Sequence, residues 1–430
     1  MISDWLSARL ARRNIHYGWV MVLVTFLTAL VSAGAVGAPG VFIIPLQQEF
    51  GWSTAEISTA LSIRLLLFGL MAPFTAALLN RYGLRRITSI GLSLVIFGLL
   101  VSLMMTQIWQ LVLLWGFVIG FGTGMTALVL GATVAARWFT ARRGLVVGIL
   151  TASSATGQLV FLPLLAGLTE TYGWRTALTM LTIALIVTAL AVLALMRDRP
   201  SDIGLRPFGD TGTAPVAAPQ QQGSIFGAAF GALREASREP IFWVLFFTFF
   251  ICGASTNGLI QIHFIPFCSD FGMAATGAAT LLAVMGIFDF IGTIGSGWLS
   301  DRYDNRTLLF WYYGLRGLSL IALPFTNFSF YGLSLFAIFY GLDWIATVPP
   351  TVKLTVSRFG PEKANLVFGW IFAGHQLGAA SIAMAAGASR TYLASYLPAF
   401  FVAGALCLVA AIVVVTIGRG KQQKIATAAA

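Results

Sequence analysis

The sequence predicts an all-α integral membrane protein with twelve transmembrane helices in two homologous six-helix bundles. Of its 430 residues, 58% are hydrophobic and only 10% are charged, whereas soluble domains carry about 25% charged residues. The mean hydropathy of +0.87 shows that apolar stretches fill most of the chain. There is room for about a dozen helices of roughly 20 residues, each able to cross a hydrocarbon core of about 30 Å. The composition therefore excludes a soluble enzyme.

Charged residues, glycine, proline and asparagine divide the chain into twelve apolar segments. A segment inside a bilayer must satisfy its backbone polar groups internally, so each is expected to form a helix. The predicted segments are 17–44, 53–79, 87–105, 109–136, 144–168, 174–196, 241–267, 275–299, 307–326, 329–352, 365–388 and 393–417.

The basic residues predict the orientation of these segments. Of the 26 Lys and Arg, only Arg175 and Arg390 fall in loops on the side opposite the N-terminus, and only Arg64 and Arg316 fall well inside segments. The others lie on the N-terminal side, where the positive-inside bias places the cytoplasm. We therefore expect both termini in the cytoplasm and a multi-pass protein of the inner or plasma membrane. The net charge of +11 reflects this orientation, and no nucleic-acid partner is expected.

One connection, 197–240, is much longer than the others and divides the chain into bundles at 1–196 and 241–430, the second with a short basic tail. Its middle, 207–223, is rich in Gly, Pro, Ala and Gln, which is typical of a flexible linker. The stretch that follows predicts a short amphipathic helix. Its apolar face comprises Ile225, Phe226, Ala229, Phe230 and Leu233. This helix either lies on the inner membrane surface or is a linker helix without membrane contact.

The two bundles contain a repeat. Residues 43–51 (IIPLQQEFG) match 264–272 (FIPFCSDFG), with Pro45 and Pro266 aligned. The spacing of 221 residues also aligns Arg81 with Arg302. Internal duplication on this scale is typical of transporters.

Three connections carry a family resemblance. The stretches LLNRYGLRR (78–86) and GSGWLSDRYDNR (295–306) resemble the signature loop of the major facilitator superfamily, and ARWFTARRGLVVGI (136–149) resembles its monocarboxylate and oxalate–formate branch. The resemblance implies secondary transport, a path lined by the first, fourth, seventh and tenth helices, and gating by the signature loops. The gating residues would be Asn80, Arg81, Arg85, Asp301 and Arg302.

The sequence departs from this pattern at several positions. Asn80 stands where the signature loop usually has an acid. Eukaryotic monocarboxylate transporters place an Arg four residues after an Asp in the eighth helix, whereas here Asp289 is followed by Thr293. Oxalate–formate relatives have a lysine in the eleventh helix, where this chain has His375 and Gln376. A carboxylate substrate would therefore need other ligands.

Four charged residues lie well inside the apolar segments, namely Arg64, Asp289, Arg316 and Asp343. A charge at the bilayer centre costs at least about 2.5–3.5 kcal/mol, so it faces a cavity or a partner. At about 1.5 Å per helical residue, all four lie near the midplane. We expect an acid–arginine–acid cluster, with Arg316 as the structural partner of Asp289. Asp343, left unpaired, would then carry the coupling proton, with Asp289 as the second candidate.

Arg64 has no carboxylate near it in sequence, and a guanidinium can bind a carboxylate bidentately. It is therefore the first candidate ligand of an anionic substrate, although a structural role is an equal alternative. The other candidates are polar residues of the seventh and eleventh segments. They are Asn257, Gln261, His263, His375 and Gln376. Either histidine could instead be a neutral residue bonded to a neighbouring helix.

The leading functional prediction is a secondary active transporter of a small organic anion, a monocarboxylate in particular, working by alternating access with proton coupling as a monomer. Exchange without proton coupling and export of amphipathic compounds are the alternatives within transport, and a channel or receptor is the alternative outside it. The sequence has no G-x-x-x-x-G-K-[ST] phosphate loop and no HExxH motif. We expect no enzymatic activity, no cofactor and no metal.

Overall fold

The computed structural model describes residues 2–126, 128–210 and 225–416. Twelve long helices in these ranges correspond to the twelve predicted segments, and we number them in chain order. They are α1 Gly18–Phe50, α2 Thr54–Tyr82, α3 Leu84–Ser102, α4 Ile108–Trp138, α5 Arg143–Tyr172, α6 Trp174–Leu195, α7 Pro240–Asp270, α8 Ala275–Ser300, α9 Asn305–Ala322, α10 Phe330–Phe359, α11 Pro361–Leu393 and α12 Leu397–Val414.

Eleven helices among the described residues are long and apolar enough to cross a membrane. The twelfth, α5, is 30 residues long, and its stretch Val160–Tyr172 is an apolar helix. The predicted fold class of an all-α membrane protein is confirmed.

The polar contacts define two ends of the bundle. At one end, which we call the basic end, Arg137 donates to the carbonyl oxygens of Leu79 and Asp198 at 3.1 and 3.3 Å. At the opposite end, which we call the far end, Glu49 accepts from the Trp174 indole at 2.6 Å and pairs with Arg175. These contacts join α4 to α2 and α1 to α6 within the N-terminal half.

The repeat is visible in the backbone. Gly51 and Gly272, at the ends of α1 and α7, have φ of 70° and 84°, a conformation open to glycine and strained for most other residues. Thr126 and Thr347, also 221 residues apart, lie at interruptions of α4 and α10. The two halves therefore share their turns and their helix breaks.

The halves meet mainly along two helix pairs, α2 with α11 and α5 with α8. Small residues permit this close approach: a Cβ on Gly69 would lie 2.3 Å from the Cβ of Gln376, and one on Gly387 would lie 2.3 Å from the Ser58 hydroxyl. At the far end, α1 also packs against α7, where a Cβ on Gly40 would lie 2.9 Å from the Gln261 carbonyl oxygen. The far end is closed by these contacts.

The predicted linker helix forms over Ile225–Ala236. Its Ala229 and Ala236 are buried, and the Ala229 carbonyl accepts from the Trp370 indole of α11 at 2.8 Å. Phe230 contacts Phe74 of α2 and Trp370, yet half of it stays exposed. The buried face thus packs on both halves of the protein. The linker stretch 211–224 and the tail 417–430 lie outside the described residues.

A further helix, Ile2–Ala11, precedes the first span. The apolar-segment analysis missed it, because it is short and interrupted by charged residues.

Candidate functional site

Arg316 is the centre of a hydrogen-bonded cluster inside the C-terminal half. It is 1% exposed, and its Nε donates to Asp343 Oδ2 at 2.5 Å. Its Nη1 donates to Cys252 Sγ at 2.9 Å, and its Nη2 donates to the carbonyl oxygens of Asp343 and Trp344 at 2.5 and 3.1 Å. Arg316 therefore ties α9 to α7 and α10.

This cluster surrounds a break in α10, which leaves the α-helix at Asp343 and resumes it at Val348. Pro349 and Pro350 lack N–H groups, so carbonyls one turn earlier lose their helical donors. Ser296 of α8 donates to the carbonyl of Ala346, the residue four before Pro350, at 2.5 Å. Because a buried backbone group without a partner is costly, the bonds from Arg316 and Ser296 to these carbonyls stabilise the break.

Asp289, in α8, also forms a hydrogen bond with the backbone at the break in α10. Its Oδ1 accepts from the backbone N–H of Ile345 at 3.0 Å and from the Thr293 hydroxyl at 3.1 Å. Its carboxylate forms no ion pair with any described residue within 4.0 Å. Asp289 and Arg316 therefore both form hydrogen bonds with backbone groups of the α10 break.

The predicted pairing within the cluster was wrong, because Arg316 pairs with Asp343 and leaves Asp289 without a cation. Depth along a helix puts both carboxylates at one level, but it does not say which of them faces α9. In the structure both the side chain and the carbonyl of Asp343, where the α-helix ends, accept hydrogen bonds from Arg316.

Arg64 lies apart from that cluster, in the N-terminal half. It is 3% exposed, and it donates to the carbonyl oxygens of Ala35 and Val36 in α1 at 3.2 and 2.9 Å. The Ala35 carbonyl loses its helical donor because Pro39, four residues later, has no N–H. Among the described residues no carboxylate lies within 4.0 Å of its guanidinium. Arg64 therefore holds a break in α1 and keeps its charge unpaired.

The two histidines of the predicted site are buried. The Nε2 of His263 is 2.9 Å from the Ala383 carbonyl oxygen of α11, which is the structural alternative considered for this residue. His375 lies against the rings of Phe249 and Phe372, at 4.8 and 5.6 Å between centroids.

The three predicted amides occupy different settings. Asn257 is half-buried in a π-helical stretch of α7, Ala254–Ile260, a distortion that is frequent at functional sites. Gln261 is buried where α7 meets α1. Gln376 is 1% exposed, and neither its amide nitrogen nor its amide oxygen has a hydrogen-bond partner among the described residues.

The predicted gating residues lie at the basic end. Asp301 pairs with Lys353 of α10, and hydrogen bonding to this ammonium holds the pKa of the exposed carboxyl below its ordinary value. The Arg302 guanidinium lies over the Trp298 ring at 4.1 Å, and Arg81 lies over Tyr82. The backbone N–H of Arg85 donates to Asp198. The side chain of Asn80 lies outside the described residues.

Several contributing residues were not singled out in the sequence. Cys252 is one of them, since its sulfur accepts from Arg316. Thr293 was noted only as a missing arginine, yet its hydroxyl donates to Asp289. The proline at position 39, directly before Gly40, was the available signal for the break that Arg64 satisfies.

The chain belongs to the major facilitator superfamily, since the model of that family matches residues 25–383. Members of this superfamily are membrane transporters, so the chain is a transporter-family protein and not an enzyme.

Two relatives within the family are similar to most of the chain. The chain is 27% identical over 405 residues to monocarboxylate transporter 13 of Rattus norvegicus, covering 93% of this chain and 89% of the relative. It is 24% identical over 381 residues to an uncharacterized transporter of the same superfamily, YcxA of Bacillus subtilis, covering 87% and 89%.

Solved structures share the fold. The nucleoside transporter NupG superimposes with a TM-score of 0.73 at 12% identity, over 94% of this chain and 100% of that one. A D-xylose–proton symporter superimposes with a TM-score of 0.66 at 13% identity, over 93% and 97%. At these identities the likeness shows the fold alone.

Proposed function

We propose that this chain is a secondary active transporter that moves a small organic anion, a monocarboxylate in particular, by alternating access coupled to protons. Its moving units are residues 1–196 and 241–430, joined by the cytoplasmic linker 197–240. The chain acts as a monomer in the inner or plasma membrane with both termini in the cytoplasm. The relatives named as monocarboxylate transporters support this substrate class.

The observation that carries the proposal is the environment of Arg64. Its guanidinium is buried near the predicted midplane, and its described partners are two backbone carbonyls. Carbonyl oxygens satisfy hydrogen bonds without neutralising the charge, so an uncompensated positive charge remains in a low-dielectric place. A carboxylate supplies both the opposite charge and two acceptors in the geometry of the guanidinium.

Gln376 is the second proposed substrate ligand. Its buried amide lacks partners in this closed arrangement, and an amide buried without hydrogen bonds is costly unless another state supplies them. It packs on Gly69 of α2, five residues after Arg64 and so about 7.5 Å further along the helix. Substrate bound between the halves would supply the missing hydrogen bonds. Asn257, Gln261, His263 and His375 complete the proposed lining.

The proton carrier is assigned to Asp289. Asp343 is committed to Arg316 at 2.5 Å, whereas Asp289 has no described cation partner. Protonation of Asp289 would remove a buried charge that has no ion-pair partner among the described residues. Asp343 and Arg316 then form a structural pair, and the roles first given to the two carboxylates are exchanged.

Anion exchange without proton coupling is the second candidate. Asp289 accepts a hydrogen bond from the Ile345 N–H. An aspartate can fill this structural role without binding a proton. The two candidates differ in whether a pH gradient drives accumulation.

The test of the substrate class uses Arg64 in proteoliposomes. Counterflow of an aliphatic monocarboxylate should occur with the wild type, fall with Arg64→Lys, and be lost with Arg64→Gln. Lysine keeps the charge but not the bidentate geometry, and glutamine keeps one donor for the α1 carbonyls but no charge. The uncharged amide of the same acid should not compete.

Thermal melting of each variant is the control, because Arg64 also holds the break in α1. A wild-type counterflow rate in Arg64→Gln would contradict the proposal. Equal competition by the amide would contradict an anionic substrate.

A further inference from the structure

Two hydrogen bonds at the far end join the two halves directly. Glu170, in the last turn of α5, accepts from the backbone N–H of Thr276 with an Oε1–N distance of 2.9 Å. Thr391, near the end of α11, accepts from the backbone N–H of Ala55 with an Oγ1–N distance of 3.0 Å. Each N–H belongs to the second residue of its helix, where no intrahelical partner exists.

The two bonds are related by the internal repeat. Glu170 and Thr391 are 221 residues apart, and so are Ala55 and Thr276, the same spacing that relates Pro45 to Pro266. Each bond therefore links a helix of one half to the equivalent neighbour in the other half. An arrangement that appears twice, in equivalent places, is difficult to attribute to incidental surface contact.

The N-terminus of α8 has no side-chain cap from its own N-cap residue, Ala274, so Glu170 caps it from the other half. The bond at α2 is not simply a cap that the helix needs. α2 already begins with its own capping box, in which Ser53 accepts from the N–H of Glu56 and Glu56 accepts in return. The bond from Ala55 to Thr391 adds a partner from the other half.

The bonds also lie beside two cavities of about 570 and 580 Å³ at the closed far end. Thr391 lines the first cavity and Glu170 lines the second. Breaking the bonds would therefore widen clefts that already exist.

We infer that the two bonds, Glu170–Thr276 and Thr391–Ala55, form a paired latch that holds the far end closed and must open on both sides for that end to open. The inference rests on the alternating access of the proposed function. The two sides differ in chemistry: Glu170 is a carboxylate at the positive end of the α8 dipole, whereas Thr391 supplies a neutral hydroxyl.

Spin labels at the far end test the latch without measuring transport. Met104 in the N-terminal half and Tyr331 in the C-terminal half are 83% and 88% exposed, so Met104→Cys and Tyr331→Cys provide label sites. The three native cysteines are buried and should not compete. Distances between the labels, measured in reconstituted protein by pulsed electron resonance, report the fraction of molecules open at this end.

Glu170→Ala and Thr391→Val should each raise the ratio of open to closed molecules about fivefold, since each removes one hydrogen bond. The double variant should raise it about 25-fold, because the two bonds share no residue and no helix and their free energies should add. Glu170→Gln, which keeps an acceptor but loses the charge, should fall between wild type and Glu170→Ala. Thr391→Ser keeps the hydroxyl and should match wild type.

Thr171→Ala is the matched control, because Thr171 neighbours Glu170 but donates to Gly167 of its own helix. The latch is overturned if the double variant keeps the wild-type distances, or if Thr171→Ala shifts them equally. The variants could shift the label distances even if the purified protein transports no monocarboxylate. That result would support the latch and contradict only the proposed substrate.

Discussion

The four charged residues buried in the membrane core differ in whether they have an ion-pair partner. Arg316 and Asp343 neutralise each other and satisfy the α10 break, so their joint charge is zero. Arg64 and Asp289 each carry hydrogen bonds from or to the backbone but form no ion pair with the described residues. Two charges of opposite sign, one in each half, therefore have no ion-pair partner among the described residues.

This division predicts losses of stability of different size for two matched substitutions. Asp343→Asn should destabilise the protein by about 3–5 kcal/mol, because it strands the buried Arg316 charge. Asp289→Asn should cost less than about 1.5 kcal/mol, because the amide oxygen can still accept from Ile345. Thermal melting in detergent measures both. A larger loss for Asp289→Asn would show that the pairing in the membrane differs from the structure.

At the scale of helices, the breaks in α1 and α10 position these charges. Each break follows from proline, and each is satisfied by side chains from neighbouring helices. An ion pair at the basic end also joins two elements: Asp301, in the connection between α8 and α9, pairs with Lys353 of α10. Because both groups are exposed, this contact is expected to be weak.

The Asp301 contact has a defined pH dependence. Its pKa is held below the ordinary value of 3.8 by Lys353, so the ion pair adds stability above that pH and loses it as the pH falls through the lowered value. Asp301→Asn should therefore melt slightly below wild type near neutral pH, and the difference should vanish in strong acid. Lys353→Met should behave in the same way, with no further loss in the double variant. A difference that persists in acid would assign the effect to something other than the ion pair.

The sequence predicted the helices better than it predicted their partners. Hydropathy depends on composition along the chain, so it located all twelve helices, with the largest boundary differences at the ends of α1 and α10, which extend to Phe50 and Phe359. Depth along a helix does not show which carboxylate faces Arg316. The structure shows that Asp343, at the break in α10, is its partner. Glu170 and Thr391 escaped notice because a polar residue at a helix end is ordinary until its partner lies in the other half.

At the scale of the whole molecule, duplication explains why the halves resemble each other in turns, breaks and contacts between them. The chain shares this plan with the major facilitator superfamily. The charges do not follow the repeat: positions 221 residues from Arg64 and Asp289 hold Met285 and Phe68. The scaffold is therefore symmetric, whereas the proposed site divides its tasks, with anion binding in one half and proton binding in the other.

Accumulation of a monocarboxylate under an imposed pH gradient tests this account most directly. Purified protein in proteoliposomes, with no other gradient present, should concentrate the labelled acid above its external level. Asp289→Asn should exchange the acid across the membrane at equal concentrations, yet only equilibrate it when the pH gradient is imposed. Protein-free vesicles correct for diffusion of the neutral acid. If Asp289→Asn accumulates the acid as the wild type does, or if the wild type itself only equilibrates it, the proton-coupled mechanism assigned to Asp289 is contradicted.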